Sequence, residues 1–434
     1  MASFAFWTAV ILFGSLFLYM IVFRWPVFLC MAGACATWGI IFSGQLPSST
    51  IVSSLIGNLN NSAYVAIVFY FLLGELLNNT SLGDRLFNFL DSIVGHIPGG
   101  MSHINVLDSV IFAGVSGSST ADTASIGSIM INMMKKEGYP AGYAAAITEA
   151  SALIGPIIPP SNGFVMLAII LGCSTRGLFI GGIIPGLLMG ILMLAVSIYW
   201  SYKAHFPCHE WRGWKHVAVT FLHGLGAVVL PGVTIICLLL GIGTVTEIGA
   251  ASCFLAIVIS ICYRDFSMKA LMISVRNAAV TGGKIMAILA CAGIFTWIIA
   301  YSGLTAALSN WIIALGLSDR ALMVLCMGIF FILGFILDPS VLINVITPLM
   351  LPALLSAEVD LIWFAVLGLI VINLGNITPP VGQLIYLTSS LAKCPSTETI
   401  KYSIPYFVAN LVLIILCLIF PGIVTFLPNL VMGA

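Results

Sequence analysis

Charge is scarce in this sequence. Of 434 residues only 7% are Asp, Glu, Lys or Arg, whereas soluble domains run at about a quarter, and 61% are hydrophobic. A water-soluble globular fold is thereby excluded. Fifteen basic residues balance fifteen acidic ones, so no basic surface exists for nucleic acid. No Gly-x-x-x-x-Gly-Lys-Ser/Thr phosphate loop occurs, which excludes a nucleotide-driven pump on this chain alone. No His-Glu-x-x-His zinc motif occurs, and no aspartate stands in a Gly-x-Gly-Asp setting. The histidines at 96, 103, 205, 209, 216 and 223 lie near span ends or in a loop, away from the buried serines, so an intramembrane enzyme is set aside. No symmetric pore-lining motif suggests a channel. What is present is length of apolar run, with 11% aromatics and 42 glycines, and this fits a polytopic bundle of packed helices rather than an outer-membrane barrel.

Eleven cysteines are no disulfide framework, because Cys30, Cys35, Cys173, Cys237, Cys253, Cys262, Cys291, Cys326 and Cys417 lie in or beside apolar segments and read as packing residues. Cys394 and Cys208 are the exceptions. Cys208 stands between His205 and His209, but that loop offers no fourth ligand for a metal. The first segment, Ala2 to Phe23, lacks a basic leader region and a small-residue cleavage pattern, and is expected to be a retained span.

Runs long enough to cross about 30 Å of hydrocarbon place spans near 4–23, 26–44, 62–79, 141–171, 178–202, 217–241, 246–263, 282–301, 361–391 and 403–428. Two further apolar stretches, 101–136 and 320–356, are interrupted midway by Gly, Ser, Asp or Pro, so each reads as a re-entrant hairpin. With the N-terminus outside, all fifteen lysines and arginines except Arg176 and Arg320 fall on the inner side. The two hairpins then open from opposite sides.

An offset of 220 residues reveals an internal repeat. Gly155-Pro156-Ile157-Ile158-Pro159-Pro160 falls on Gly375-Asn376-Ile377-Thr378-Pro379-Pro380, Gly114 on Gly334, and the tip Ser118-Ser119-Thr120 on Asp338-Pro339-Ser340. The expected fold is therefore all-α, with inverted-topology repeats, two re-entrant hairpins and two broken transmembrane helices, an arrangement associated with secondary transporters. It divides into 1–60 (scaffold helices and an interfacial arm), 61–177 (first half of a transport domain), 178–280 (scaffold, cytoplasmic loop and a second arm), 281–392 (second half) and 393–434 (a C-terminal helix).

Two consecutive prolines force a spanning helix to unwind and release carbonyls. Those carbonyls must be satisfied in hydrocarbon, and a dehydrated sodium ion wants several oxygens at once. The tips add Ser116, Ser118, Ser119 and Thr120 in one half, Asp338 and Ser340 in the other. Ser161 and Asn162 follow the first double proline, where a restarting half-helix presents partial positive charge to a carboxylate or sulfonate.

Over essentially its whole length the sequence resembles the large membrane subunit of tripartite ATP-independent periplasmic (TRAP) transporters. The resemblance is carried by Leu73-Gly74-Glu75-Leu76-Leu77-Asn78, Gly95-His96 through Gly99-Gly100, Ser116-Gly117-Ser118-Ser119-Thr120-Ala121-Asp122-Thr123, Gly138-Tyr139-Pro140, Ile154 to Ser161, and Thr378-Pro379-Pro380-Val381-Gly382. It implies a sodium-driven elevator-type carrier of a small organic anion in the bacterial inner membrane. It also implies a small four-helix membrane partner and a soluble periplasmic substrate-binding protein. Carried over residue by residue, one sodium site is expected at Ser116 and Ser118 with carbonyls around Gly155, Ile158 and Pro160. The other is expected at Gly334, Gly375, Thr378 and Val381, with Asp338 in the nearby tip; substrate contact is expected from Ser118, Ser119, Ser161 and Asn162. Three departures stand out: Glu358-Val359-Asp360-Leu361 replaces the usual Gly-x-Asp-Pro turn, Glu149 replaces a small residue, and Asp108 lies in the first arm of the first hairpin.

Overall fold

The computed structural model describes residues 2–23, 25–42, 47–314, 316–335, 337–379 and 382–433. Its regular structure there is entirely helical, with no strand among the described residues. Six described helices are long and apolar enough to cross a membrane alone; one of them, Pro339–Ser356, includes the return arm of the second hairpin.

Both hairpins form, and they share a backbone plan. Gly100–Ser116 leads to a tip at 117–118, then Ser119–Asp122, a wide π-helical turn Thr123–Gly127, and the return helix Ser128–Lys136. In the second half Asp319–Gly334, Pro339–Val341, the π-turn Leu342–Ile346 and Thr347–Ser356 repeat that order. Both broken helices form as well. Ala141–Ala152 is interrupted and restarts as Asn162–Leu171; Leu361–Gly375 is interrupted and restarts as Gln383–Ala392. The entry to the second is the departure noted above, and it is rebuilt rather than lost. Asp360 Oδ1 accepts the amides of Ile362 at 2.7 Å and Trp363 at 3.2 Å, capping the helix without the usual proline.

The first halves of the two broken helices are buried on every face, which places them at the centre of the molecule. Each packs against the other half's long partner. Ala141–Ala152 lies on Ser396–Ile419 and Gln383–Ala392, while Leu361–Gly375 lies on Thr175–Ala204. The repeats are therefore interlocked. Outside them run Ala2–Ile21 with Val27–Ile41, and Trp214–Leu240 with Val245–Cys262; these carry exposed Trp7, Ile40, Leu222 and Phe254.

The structure corrects two expectations and adds one helix. The second arm is no separate element, because residues 268–280 run without a break into Met268–Tyr301, whereas the first arm, Ser48–Leu59, stops before Ala63–Asn78. The reason is local: Asn60-Asn61-Ser62 supplies turn-forming side chains, with Asn61 Oδ1 accepting the Ala63 amide at 3.0 Å, and the repeat-related residues there are Val280 and Thr281. The final span is two helices, Ser396–Ile419 and Gly422–Met432, divided at Pro421. Leu82–Val94, unassigned from sequence, is an amphipathic helix bent 67° from Ala63–Asn78.

Candidate functional site

Tip and break meet in each half through glycine. Gly117 adopts a left-handed conformation (φ 61°), and a methyl there would lie 2.7 Å from the Pro160 carbonyl oxygen and 3.2 Å from the Asn162 nitrogen. A residue with a side chain would push the first tip off its double proline. In the second half a methyl on Gly375 would lie 2.5 Å from the Gly334 carbonyl oxygen, so two backbones touch directly. Gly334 and Gly375, both expected at the second sodium site, are thus neighbours in space.

Both tips and both breaks then converge on one cavity of about 110 Å³. Ser118, Ser119 and Thr120 enter from the first tip, Asp338, Pro339 and Ser340 from the second. Pro156 and Asn162 come from the first break, Asn376 and Gln383 from the second, with Asn373 just before it. Phe71 and Ile285, from Ala63–Asn78 and Met268–Tyr301, close one side.

Asn162 is the least satisfied group in this wall. It is 5% exposed, and neither its Nδ2 nor its Oδ1 has a hydrogen-bond partner among the described residues. Buried amides are rarely left so, and a side chain with a free donor and a free acceptor is suited to a polar ligand. Ser161 beside it does not line the cavity; its hydroxyl caps the restarting helix by accepting the Phe164 amide at 3.2 Å. Ser118 Oγ lies 3.2 Å from Thr120 Oγ1 and accepts the Ala121 amide at 3.4 Å. Ser118 thus caps the short helix Ser119–Asp122. Asp338 Oδ1 accepts the Ser340 amide at 2.8 Å, which leaves its other oxygen for the cavity.

Gly155, Ile158 and Pro160 are buried and do not line the cavity. Thr378 is turned inward, its hydroxyl donating to the Leu374 carbonyl at 2.7 Å and its own carbonyl accepting from Gly382 at 3.0 Å. Val381 and Pro380 lie outside the described residues, as does the side chain of Ser116. Asn373, Asn376 and Gln383 were not singled out from sequence. Their signal was available, since each is an amide side chain inside an otherwise apolar segment within a few residues of a double proline.

Other polar groups belong elsewhere. Glu149 is fully buried and accepts hydrogen bonds from Thr388 Oγ1 at 2.9 Å and from Ser403 Oγ; it joins three helices and does not line the cavity. Glu75 accepts from Asn277 Nδ2 at 2.9 Å. In the linker, His209 sits between Asp91 (2.7 Å) and Glu137 (3.1 Å). Partial burial pulls its pKa down, but the two carboxylates outweigh this and hold it above the usual histidine value.

Known proteins share the sequence pattern and the fold. Residues 13–423 match the family model described as "Tripartite ATP-independent periplasmic transporter, DctM component". The chain is 31% identical over 408 residues to the 2,3-diketo-L-gulonate TRAP transporter large permease protein YiaN of Escherichia coli K12, covering 94% of this chain and 93% of that one. It is 27% identical over 426 residues to the sialic acid TRAP transporter permease protein SiaT of Haemophilus influenzae, covering 96% of this chain and 69% of that one. Among solved structures, the YdaH transporter of Alcanivorax borkumensis, whose topology is described as unusual, shares the fold with a TM-score of 0.64 at 15% identity, over 94% of this chain and 98% of that one.

Proposed function

Because the chain belongs to the tripartite ATP-independent periplasmic transporter family, as its large DctM-type membrane component, we propose that it performs sodium-coupled uptake of a small organic anion, a carboxylate or sulfonate. The anion is delivered by a soluble periplasmic binding protein. The observation that carries this reading is the convergence of both tips and both breaks on one cavity, with the unpartnered amide of Asn162 in its wall. Sodium is transported cargo in this scheme. One ion lies between the first tip and the first break (Ser116, Ser118, and carbonyls of Gly155, Ile158 and Pro160), the other between Gly334, Asp338, Gly375, Thr378 and Val381. Hydroxyl and carbonyl oxygens suit a hard monovalent cation, and among the described residues no lysine or arginine lines the cavity to compete with it.

The substrate's anionic group lies against Ser118, Ser119 and Asn162, where the half-helix beginning at Asn162 contributes partial positive charge. Two relatives are named for 2,3-diketo-L-gulonate and sialic acid; both are carboxylates, and they support an acid as cargo. The cavity as described is smaller than the roughly 300–1,000 Å³ of small-molecule pockets. Loading therefore requires the tips to part or the inner bundle to shift against the outer helices. An elevator movement of the interlocked repeats past the outer helices supplies that opening. The exposed apolar faces of the outer helices provide the seat for a small four-helix membrane partner, and the distribution of basic residues supports an N-terminus on the periplasmic side of the bacterial inner membrane.

Reconstitution tests the reading. The chain is placed in liposomes with its small membrane partner, the soluble protein is added outside, and uptake of labelled sialic acid and diketogulonate is followed with sodium or choline outside. Saturable uptake that needs sodium and all three components is expected. Equal uptake in choline, or full-rate uptake by this chain alone, would sink it.

A further inference from the structure

Behind the first tip lies another polar chamber, separate from the central cavity. It measures about 10 Å³, room for one water-sized occupant, and Asn105, Asp108, Ser109, Asp122 and Thr148 line it. Part of this wall is already engaged. Asn105 Nδ2 donates to Thr148 Oγ1 at 2.8 Å, Asn105 Oδ1 accepts from Ser151 Oγ at 3.1 Å, and Thr148 Oγ1 donates to the Ala144 carbonyl at 2.8 Å. Asp108 is different. It is 3% exposed and makes no hydrogen bond with any described residue. It borders the chamber on one side and, on the other, an open cavity of about 580 Å³ that also contains Asp84, Asn88, Ser125 and Ser128.

A buried carboxylate costs several kcal/mol unless it is paired; Asp108 is in that position, and a second carboxylate, Asp122, lines the same space of single-ion size. The hairpin fold does not demand this polarity. At the repeat offset Asn105, Asp108, Ser109, Asp122 and Thr148 become Leu325, Gly328, Ile329, Leu342 and Gly368, and the second hairpin forms with no side-chain oxygen at those positions. The open cavity is also unsuited to an anion, since Asp84 and Asp108 lie in its wall without a lysine or arginine.

We propose that Asp108 and Asp122 hold one sodium ion in this chamber, additional to the ions at the two broken centres, and that the acidic open cavity is its port. Asp122 connects the chamber to transport, because its carboxylate abuts the backbone of Gly155 so closely that a methyl there would overlap Oδ2. An ion in the chamber thus braces the first break from behind. The ion's identity, though not the site, rests on the sodium-coupled reading above.

The test is equilibrium binding of radioactive sodium to the full chain, purified with its small membrane partner in nanodiscs, without substrate. Wild type is expected to bind one more ion per protein than Asp108→Asn, with the affinity of the remaining ions unchanged within about twofold. Asp108→Glu is expected to restore the extra ion. Ser118→Ala should lose a different ion and keep the one that depends on Asp108. Equal ion counts for wild type and Asp108→Asn overturn the proposal, as does a variant that alters only the pH dependence of uptake, which would make the occupant a proton. Should Asp108→Asn fail to assemble, wild type still decides: binding of only the ions sensitive to substitutions at the two tips overturns the chamber alone, whereas no sodium binding at all overturns the coupling reading itself.

Discussion

The two halves of the molecule share a backbone and differ in chemistry. Each has a hairpin with a π-turn at the same place, a broken helix, and a left-handed residue 220 positions apart, Gly138 (φ 89°) in the first and Glu358 (φ 53°) in the second. Yet behind its tip the first hairpin carries Asn105, Asp108, Ser109 and Asp122 where the second carries Leu325, Gly328, Ile329 and Leu342. The first tip rests on its break through Gly117 against the Pro160 carbonyl; the second half joins Gly334 to Gly375 backbone to backbone. The comparison separates two requirements. Convergence of the tips needs only the repeated backbone, which glycine and proline secure in both halves. Ligand chemistry is carried by side chains, and these are free to diverge.

Substitutions at the paired glycines should break the symmetry most visibly. In Gly375→Ala the new methyl meets a backbone carbonyl, which cannot turn aside, so reconstituted uptake is expected to fall by about 100-fold or more. At Gly155 the obstacle is the Asp122 carboxylate, a side chain that can rotate, and Gly155→Ala should lose about tenfold. Equal losses would mean that the two breaks are packed alike. Next comes Asn162→Ala, which removes an amide from the wall without touching the second half. A hydrogen bond to a charged group contributes about 1.5–3 kcal/mol, so KM for the anion should rise about 10- to 100-fold with sodium dependence unchanged. A matching rise in the sodium requirement would place Asn162 at an ion instead.

Ser118→Ala should raise the sodium concentration for half-maximal uptake by about three- to tenfold while leaving the fold intact. An unchanged sodium dependence removes Ser118 from the ligand set. Smaller still is the turn itself. Glu358→Gly relieves a left-handed side chain and should stabilise the protein by about 1 kcal/mol in a thermal shift assay; Gly138→Ala should cost a similar amount. The smallest effect concerns the linker, which His209 ties to Asp91 and Glu137, both of the first half. Because the folded-state pKa of His209 is raised, its contribution is complete below the unfolded value near 6.5 and is lost as pH climbs through the folded value. The pair is partly exposed, so no more than about 1 kcal/mol is expected. Hydrogen exchange of residues 205–213 should quicken with rising pH beyond its intrinsic dependence, and this excess should vanish in His209→Gln.

Much of the architecture was legible because proline and glycine act locally. Pro159-Pro160 and Pro379-Pro380 announce unwound helices whatever surrounds them, and Gly117 marks a sharp tip. The site was legible to the extent that it follows from those breaks: Ser118, Ser119, Asn162 and Asp338 all reach the cavity. Ser161 was placed there by adjacency alone, and its hydroxyl is instead consumed by the cap. Asn373 was passed over because its role depends on which face of the buried helix Leu361–Gly375 meets the other half, and so apolar a helix carries little periodicity to reveal a face. The fusion of the second arm into Met268–Tyr301 was hidden for the opposite reason: amphipathic spacing identifies a helix but does not say where it stops. Pro421-Gly422, by contrast, was visible and marks the division of the last span.

The interlocking of the halves bears on how the protein is made. Glu149 enters the membrane early in synthesis, but the hydroxyls it needs, on Thr388 and Ser403, follow 239 and 254 residues later. Until the penultimate helix has left the ribosome, the nascent first half carries a carboxylate with neither of these partners, in a helix destined for complete burial. The carrier's centre is thus the last part of the molecule to close. A chain cut short before Ser403 is left with an open, charged seam, a feature by which membrane quality control can tell unfinished copies from finished ones.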